Sequence, residues 1–358
     1  MFGVSVPFGA NKSPVVIGLT TVAALIVTTS LTMGFFAKNQ MPVAGRNIII
    51  TGASQGMGKA VAILLASLGA NVAIVARDLT KLAAAAAEIQ AVMDANASKY
   101  PDQKLAVISA DLSEVEGAQR AVAEAEAQIG ETEILWCCAG GANPGFFRDY
   151  KPADLEWAMK TNYWSAVYIA HNVIQLMTSR PPPTQKYPTN GNHQRKIIFT
   201  SSLVAFCPLV GYSSYSGPKA ALRALTDTLR QECLLYDIDV HCCCPGSILS
   251  PGLENENLTK PGILKEIEAE DDTPQTSEDV AKYCLEELQR GQTLPVSSFL
   301  ARAARSAMVG PTPRVGFLFE TLLSWACAIV YIFVRRGHDG IVLRERKAKG
   351  LPWENKQV

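Results

Sequence analysis

The sequence predicts an α/β domain, a doubly wound parallel sheet with helices on both faces, carrying an apolar stretch near each end. Short continuous apolar runs alternate with helix-length segments, a glycine cluster follows the first run, and a long apolar stretch stands near each terminus, the first without a charge and the second with one. Strands that are apolar throughout, rather than at every second residue, belong in a sheet covered on both faces. A chain of 358 residues has room for one large domain with appendages or for two domains.

In order along the chain, Asn47-Ile-Ile-Ile-Thr51 reads as a buried strand and residues 57–68 as a helix. Residues 71–76 form the next strand and 79–95 an alanine-rich helix. Strand 105–109, helix 114–129 and strand 133–138 follow, then one long helix over 153–177. The proline-rich polar segment 180–194 reads as a surface loop. Strand 196–200, helix 215–235 and strand 238–244 complete the alternation.

Apolar residues make up 48% of the chain and charged ones 18%, below the usual quarter or so, which points toward membrane contact. Lys plus Arg equals Asp plus Glu at 33 each, so no global field draws the chain to nucleic acid. The nine cysteines include the runs Cys137-Cys138 and Cys242-Cys243-Cys244, which suit neither a disulfide framework nor zinc spacing. They predict a reducing compartment and thiols packed on alternate strand faces as small hydrophobes. His171, His193, His241 and His338 show no metal-ligand spacing.

Residues 13–37 carry no charge and are long enough to cross a bilayer, predicting an anchor; a cleaved signal is the alternative, although only Lys12 supplies a basic flank. Residues 315–334 carry one charge, Glu320, and lead into Arg335-Arg336, Arg344, Arg346, Lys347 and Lys349. This stretch is predicted to associate with a membrane, crossing it or lying in its interface, with a buried core helix as the alternative. The chain divides into a tail and anchor over 1–42, a domain over 43–290 and an extension over 291–358.

Thr51-Gly52-Ala53-Ser54-Gln55-Gly56-Met57-Gly58 follows the first strand and opens the first helix, so its glycines permit a tight turn and close approach of a pyrophosphate to the helix end. The GxxxGxG spacing resembles that of the short-chain dehydrogenase/reductase family over about 43–290, which implies a Rossmann-type fold and a nicotinamide cofactor held by Gly52, Ser54, Gln55, Gly56 and Gly58. The second strand ends in Arg77, where an arginine suits the 2′-phosphate of NADPH; Asp78 beside it suits a helix start or some use of NAD. The resemblance implies that Asp111 meets the adenine, with a helix N-cap as the alternative.

Tyr215-Ser-Gly-Pro-Lys219 places a phenol and an ammonium four residues apart on one helix side, where the lysine is predicted to lower the tyrosine's pKa. By resemblance Tyr215 is the general acid, Lys219 binds the nicotinamide ribose, and Ser202, thirteen residues before Tyr215, polarises the substrate carbonyl. Ser201 competes for that last role. Asn162, in Lys160-Thr-Asn-Tyr163, matches the family's proton-relay asparagine, and Ile248 and Ser250, after Pro245-Gly246, match its contacts beside the nicotinamide, with a purely structural turn as the alternative. Cys137-Cys138-Ala139-Gly140 replaces the family's Asn-Asn-Ala-Gly; the turn residues remain, so cofactor binding is expected to survive.

Residues 136–146, 212–219 and 251–257 look like those of the fungal 3-ketodihydrosphingosine reductases. That resemblance implies reduction of a long-chain sphingoid ketone by NADPH, in contact with membrane lipid, at the endoplasmic reticulum with the catalytic domain facing the cytosol. Helices 153–177 and 215–235 are where the family forms homodimers. Another membrane-bound reductase, of 3-ketoacyl-CoA, retinoid or steroid, and a non-catalytic NADPH-binding scaffold remain alternatives. Glu254, Glu256, Glu266, Glu268, Glu270, Asp271 and Asp272 predict a solvated helix face; the alternative is that one of them pairs with a substrate amine.

Overall fold

The computed structural model describes residues 39–181, 195–271, 273–308 and 317–349. Six parallel strands, β1 (Asn47–Thr51), β2 (Asn71–Ala76), β3 (Leu105–Ser109), β4 (Ile134–Cys137), β5 (Arg195–Thr200) and β6 (Ile238–Cys243), lie in the order β3-β2-β1-β4-β5-β6. Helices α1 (Gly56–Ser67), α2 (Leu79–Ala95) and α3 (Val115–Ile129) make the first crossovers. The strand order reverses between β1 and β4, so the loops after these strands diverge and leave a crevice at the sheet's C-terminal edge.

Each strand feeds two cores because successive side chains point to opposite faces. Ile49, Val75, Leu135, Ile197 and Val240 join one core, and Ile48, Ile74, Trp136 and Ile198 the other. The cysteine runs obey the same alternation: Cys137, Cys242 and Cys244 enter the first core, whereas Cys138 and Cys243 face the second. Below β1 and β4 the buried Arg46 donates to Glu133 at 3.0 Å, and the same carboxylate accepts the Asn47 N–H at 3.1 Å. One acidic side chain thus fixes the start of two adjacent strands.

The long helix expected over 153–177 is not continuous. It is α4 (Pro152–Met159), a π-turn (Lys160–Trp164) and α5 (Ser165–Ser179). Pro152 sits in the first turn, where a missing N–H costs nothing, and Asp154 accepts the Lys151 N–H at 2.9 Å. Within the π-turn the Asn162 amide donates to Ala158 O at 3.1 Å, replacing part of the backbone ladder that the wider turn gives up.

Helix α6 (Ser213–Cys233) leads into β6, and beyond it stand elements that apolar periodicity does not reveal. These are β7 (Ile248–Leu249), α7 (Pro251–Thr259), α8 (Gly262–Asp271), β8 (Gln275–Thr276), α9 (Ser277–Gln289), α10 (Phe299–Met308) and α11 (Phe317–Lys349). The stretch just after residue 290 completes the sheet edge: Cys242 N donates to Thr293 O at 2.9 Å and Cys244 N to Pro295 O at 2.7 Å. Leu294 and Val296 from this stretch are buried in the first core.

The expected anchor over 13–37 lies outside the described residues. Among those described, no helix is long and apolar enough to cross a membrane. The apolar stretch expected over 315–334 begins α11, and its one acidic residue, Glu320, is buried on α10, accepting from Arg305 and, at 2.6 Å, from the Ser306 hydroxyl. The far half of α11 returns to α8, with Ile341 against Ile263 and Ile267, and Arg344 donates to Glu266 at 2.8 Å. Polar pairs and a small apolar cluster therefore tie this helix to the domain.

Candidate active site

The crevice beside β1 and β4 is a cavity of about 530 Å³. At one end Gly52 takes φ +65°, and a Cβ there would stand 2.7 Å from the Ala139 backbone. A Cβ on Gly58 would stand 2.4 Å from Gly52 O, so helix α1 meets the turn backbone to backbone. Thr51 Oγ1 accepts the N–H groups of Cys138 and Ala139, each at 3.1 Å, which binds the loop after β4 to the loop after β1. No side chain caps the start of α1 and no acidic residue stands in its first turn, so its positive end is free for an anion. Ser54, Gln55 and Gly56 line the cavity beside it. This cradle, which any side chain would fill, fits a pyrophosphate.

Arg77 is exposed on the cavity lining, with Lys81 one turn along α2. Asp78 is occupied as the α2 N-cap, accepting the Lys81 N–H at 3.0 Å, and Lys81 Nζ reaches Gln55 Oε1 at 3.2 Å. Asp111 lines the same end but does not cap α3, whose N-cap is Glu114; it closes a local turn by accepting from Ser113 N at 3.0 Å and Ser113 Oγ at 2.7 Å. Burial presses the Asp111 carboxyl upward, but Ser113, with Arg77 and Lys160 nearby, holds it below its ordinary value.

At the other end, Ser202, Tyr215 and Lys219 share one wall. Lys219 donates to Thr200 O at 2.9 Å and its Nζ lies 5.5 Å from the Tyr215 ring centre. The expected lowering of Tyr215 is corrected by the structure: burial pushes the phenol up, Glu256 pushes the same way, and only the neighbouring Ser202 opposes them. The lysine's charge is turned toward the end of β5 instead. The two serines separate cleanly. Ser201 is buried and donates to Lys219 O at 2.7 Å, which fixes the strand to α6, whereas Ser202 opens to the cavity and accepts the Val204 N–H at 3.4 Å.

Asn162 is fully buried just behind this wall. It accepts from Gly141 N at 3.0 Å and donates to Gly141 O at 2.8 Å. A Cβ on Gly140 would stand 2.8 Å from Asn162 Oδ1 and 3.2 Å from Lys219 Nζ, so the glycine after Ala139 makes room for both. Ile248 and Ser250 line the cavity near Gly56, with Ser250 capping α7 by accepting Leu253 N at 3.3 Å. Cys138, also on the lining, accepts from the Thr200 hydroxyl at 3.6 Å, and burial pushes its thiol up to about 12, which keeps it protonated and unreactive.

Burial pushes Lys219 down to about 8, against the pull of neighbouring thiols and Glu256. An unfolded lysine titrates near 10.4, so between about 8 and 10.4 the unfolded chain holds a proton that the folded chain has released. Stability from this group therefore rises with pH through that window, and the burial penalty is fully present below it. Urea midpoints of the cofactor-free protein at both ends of the window, compared with Lys219→Met, check this. The wild type gains relative to the variant as pH rises; a constant difference contradicts it.

The carboxylate-rich segment divides. Glu254 is exposed and Glu266 faces Arg344, as a solvated face requires, but Glu256 and Glu268 turn into the cavity. The Tyr212 hydroxyl lies 3.0 Å from Glu256 Oε2 and 2.9 Å from Glu268 Oε1, and the buried Lys260 stands behind them, 2.7 Å from Glu268. Sequence reasoning missed Tyr212, Lys260, Thr51 and Thr200; the available signal for the first two was their helical spacing from Tyr215 and Glu256.

A glycine cradle at the sheet's reversal point, leading to a buried lysine, tyrosine and serine, defines an oxidoreductase built for a nicotinamide cofactor, and the chain belongs to the short-chain dehydrogenase family, whose profile matches residues 46–261. Among its relatives, the chain is 37% identical to a 3-ketodihydrosphingosine reductase of Aspergillus fumigatus, over 91% of each chain. It is 35% identical to one of Neurospora crassa, over 93% of this chain and 92% of that one. The L-sorbose reductase of Gluconobacter frateurii, solved with NADPH and L-sorbose, has the same fold: TM-score 0.60 and 23% identity, covering 73% of this chain and 98% of that one.

Proposed function

We propose that this protein reduces the 3-keto group of 3-ketodihydrosphingosine to an alcohol, using NADPH. The observation that carries the reading is the grouping of Ser202, Tyr215 and buried Lys219 on one wall of a cavity continuous with the glycine cradle; the similarity to named reductases of this ketone supplies the substrate. When bound, the nicotinamide supplies the hydride that adds to the carbonyl carbon. Ser202 donates a hydrogen bond to the carbonyl oxygen and holds it against Tyr215, which gives that oxygen its proton. A phenol kept protonated by burial is suited to donate. Lys219, fixed on Thr200 O by one N–H, retains others for the cofactor ribose, and Asn162 holds the loop at Gly141 that closes this wall.

Arg77 supports the choice of NADPH: it is an exposed guanidinium on the lining, while the acidic neighbour that suits NAD, Asp78, is committed to capping. We also propose attachment to the endoplasmic reticulum membrane with the site facing the cytosol. Supporting it are the charge-free residues 13–37 and the exposed Leu322, Trp325, Ile329, Val330 and Phe333 of α11, which precede Arg335 and Arg336.

The test is NADPH oxidation by the detergent-solubilised protein with 3-ketodihydrosphingosine, a long-chain 3-ketoacyl-CoA and a steroid ketone in parallel. Turnover of the sphingoid ketone alone is expected, and turnover of only another ketone rejects the substrate. In the same assay Arg77→Glu is expected to move preference from NADPH toward NADH by about tenfold or more, the worth of one charged hydrogen bond. Unchanged preference rejects the role of Arg77.

A further inference from the structure

Two carboxylates and one phenol meet on the wall of the cavity with one ammonium behind them, and their hydrogens and charges do not balance. The Tyr212 hydroxyl has a single hydrogen, yet it lies 3.0 Å from Glu256 and 2.9 Å from Glu268, so it donates to only one of the two carboxyl groups. Lys260, with only 1% of its side chain exposed, is committed to Glu268 at 2.7 Å and stands 4.0 Å from Glu256. Within the cluster one ammonium therefore serves two carboxyl groups, and Glu256 is the farther from it. Its side chain is 19% exposed, and that exposure opens into the cavity that holds Tyr215 and Ser202. A network built only for stability would pair such a withdrawn carboxylate fully, because a buried charge without a partner is costly.

We infer that Glu256 is the specificity-determining carboxylate of this cavity and receives the protonated amine of a long-chain 2-amino-3-ketone. The inference rests on the reductase reading above and deepens it. In such a ketone the amine nitrogen is two bonds from the carbonyl carbon, about 2.5 Å away, so the cation must lie beside the acid that protonates the oxygen. Glu256 lines the same cavity as Tyr215 and meets the hydroxyl of its neighbour Tyr212. The Tyr212 and Tyr215 rings are 5.6 Å apart, and Glu256 acts on both Tyr215, which it pushes up, and Lys219, whose lowering by burial it opposes. An ammonium on Glu256 supplies the missing donor and offsets the negative charge next to the phenol. The amine therefore contributes to turnover as well as to binding.

The experiment compares wild type and Glu256→Gln on 3-ketodihydrosphingosine and on the same long-chain ketone without its amine, following NADPH oxidation. Gln retains an acceptor for Tyr212 and removes the charge, and an NADPH fluorescence titration reports that the variant is folded. The preference for the amino ketone, as a ratio of kcat/KM values, is expected to fall by about 10- to 100-fold in the variant, the worth of a hydrogen bond to a charged group. An equal loss on both ketones assigns Glu256 to structure and overturns the inference, as does an unchanged ratio; both leave the reductase reading standing. Wild type that turns over neither ketone overturns the reading and the inference together.

Discussion

Tyr215→Phe is expected to lower ketone turnover by about 10²- to 10⁴-fold while cofactor affinity stays near that of the wild type. The ring has its packing without the hydroxyl: Tyr215 lies against the cluster of Val204, Tyr212 and Leu264, and phenylalanine fills the same space. Lys219 also keeps its place, because Thr200 O anchors it rather than the phenol. What is lost is the proton donor on the wall it shares with Ser202. Steady-state NADPH oxidation gives the turnover, and a fluorescence titration gives the affinity. Turnover within a few-fold of wild type removes Tyr215 as the acid and brings the non-catalytic scaffold forward.

Gly52→Ala is expected to lose the cofactor site and a substantial share of stability. The positive φ of +65° alone costs an L-residue roughly 1–2 kcal/mol. The added Cβ would also stand 2.7 Å from Ala139 N and Cα, main-chain atoms that Thr51 holds in place through the Cys138 and Ala139 N–H groups. The strands cannot separate to admit it without breaking the join between β1 and β4. Gly217→Ala is the control, since a Cβ there meets nothing within 4 Å. Thermal unfolding with and without NADPH separates the two effects: Gly52→Ala melts several degrees lower and gains nothing from cofactor, while Gly217→Ala behaves as wild type. A Gly52→Ala protein stabilised by NADPH to the same extent as wild type would contradict the reading.

The sheet was legible because its strands are apolar runs bounded by turns, and β2, β3 and α2 fall where the pattern puts them. The glycine cradle and the Tyr215/Lys219 pair were legible for a different reason: their chemistry is local, carried by spacing within a single turn or helix start. What the sequence hides is whatever depends on packing between distant segments. Glu256 and Glu268 look like any charge run until α7 and α8 fold over the cavity and turn one stripe inward. The direction of the Tyr215 shift depends on burial and on Glu256, forty-one residues away in the chain, not on the neighbouring lysine. The segment over 315–334 read as membrane-associated because Glu320 meets its partners, Arg305 and Ser306, only in three dimensions.

The π-turn at Lys160–Trp164 has a genealogical meaning. A π-turn is an α-helix holding one residue more than its turns require, and each residue turns a helix by about 100°. A relative with a straight helix here aligns with this chain only through a single-residue gap, and without that residue the face carrying Asn162 is rotated away from Gly141. Gaps between related chains are ordinarily assigned to surface loops, where length drifts freely. A gap inside this helix, at the turn that carries the buried Asn162, instead marks the gain or loss of a wall of the catalytic cavity.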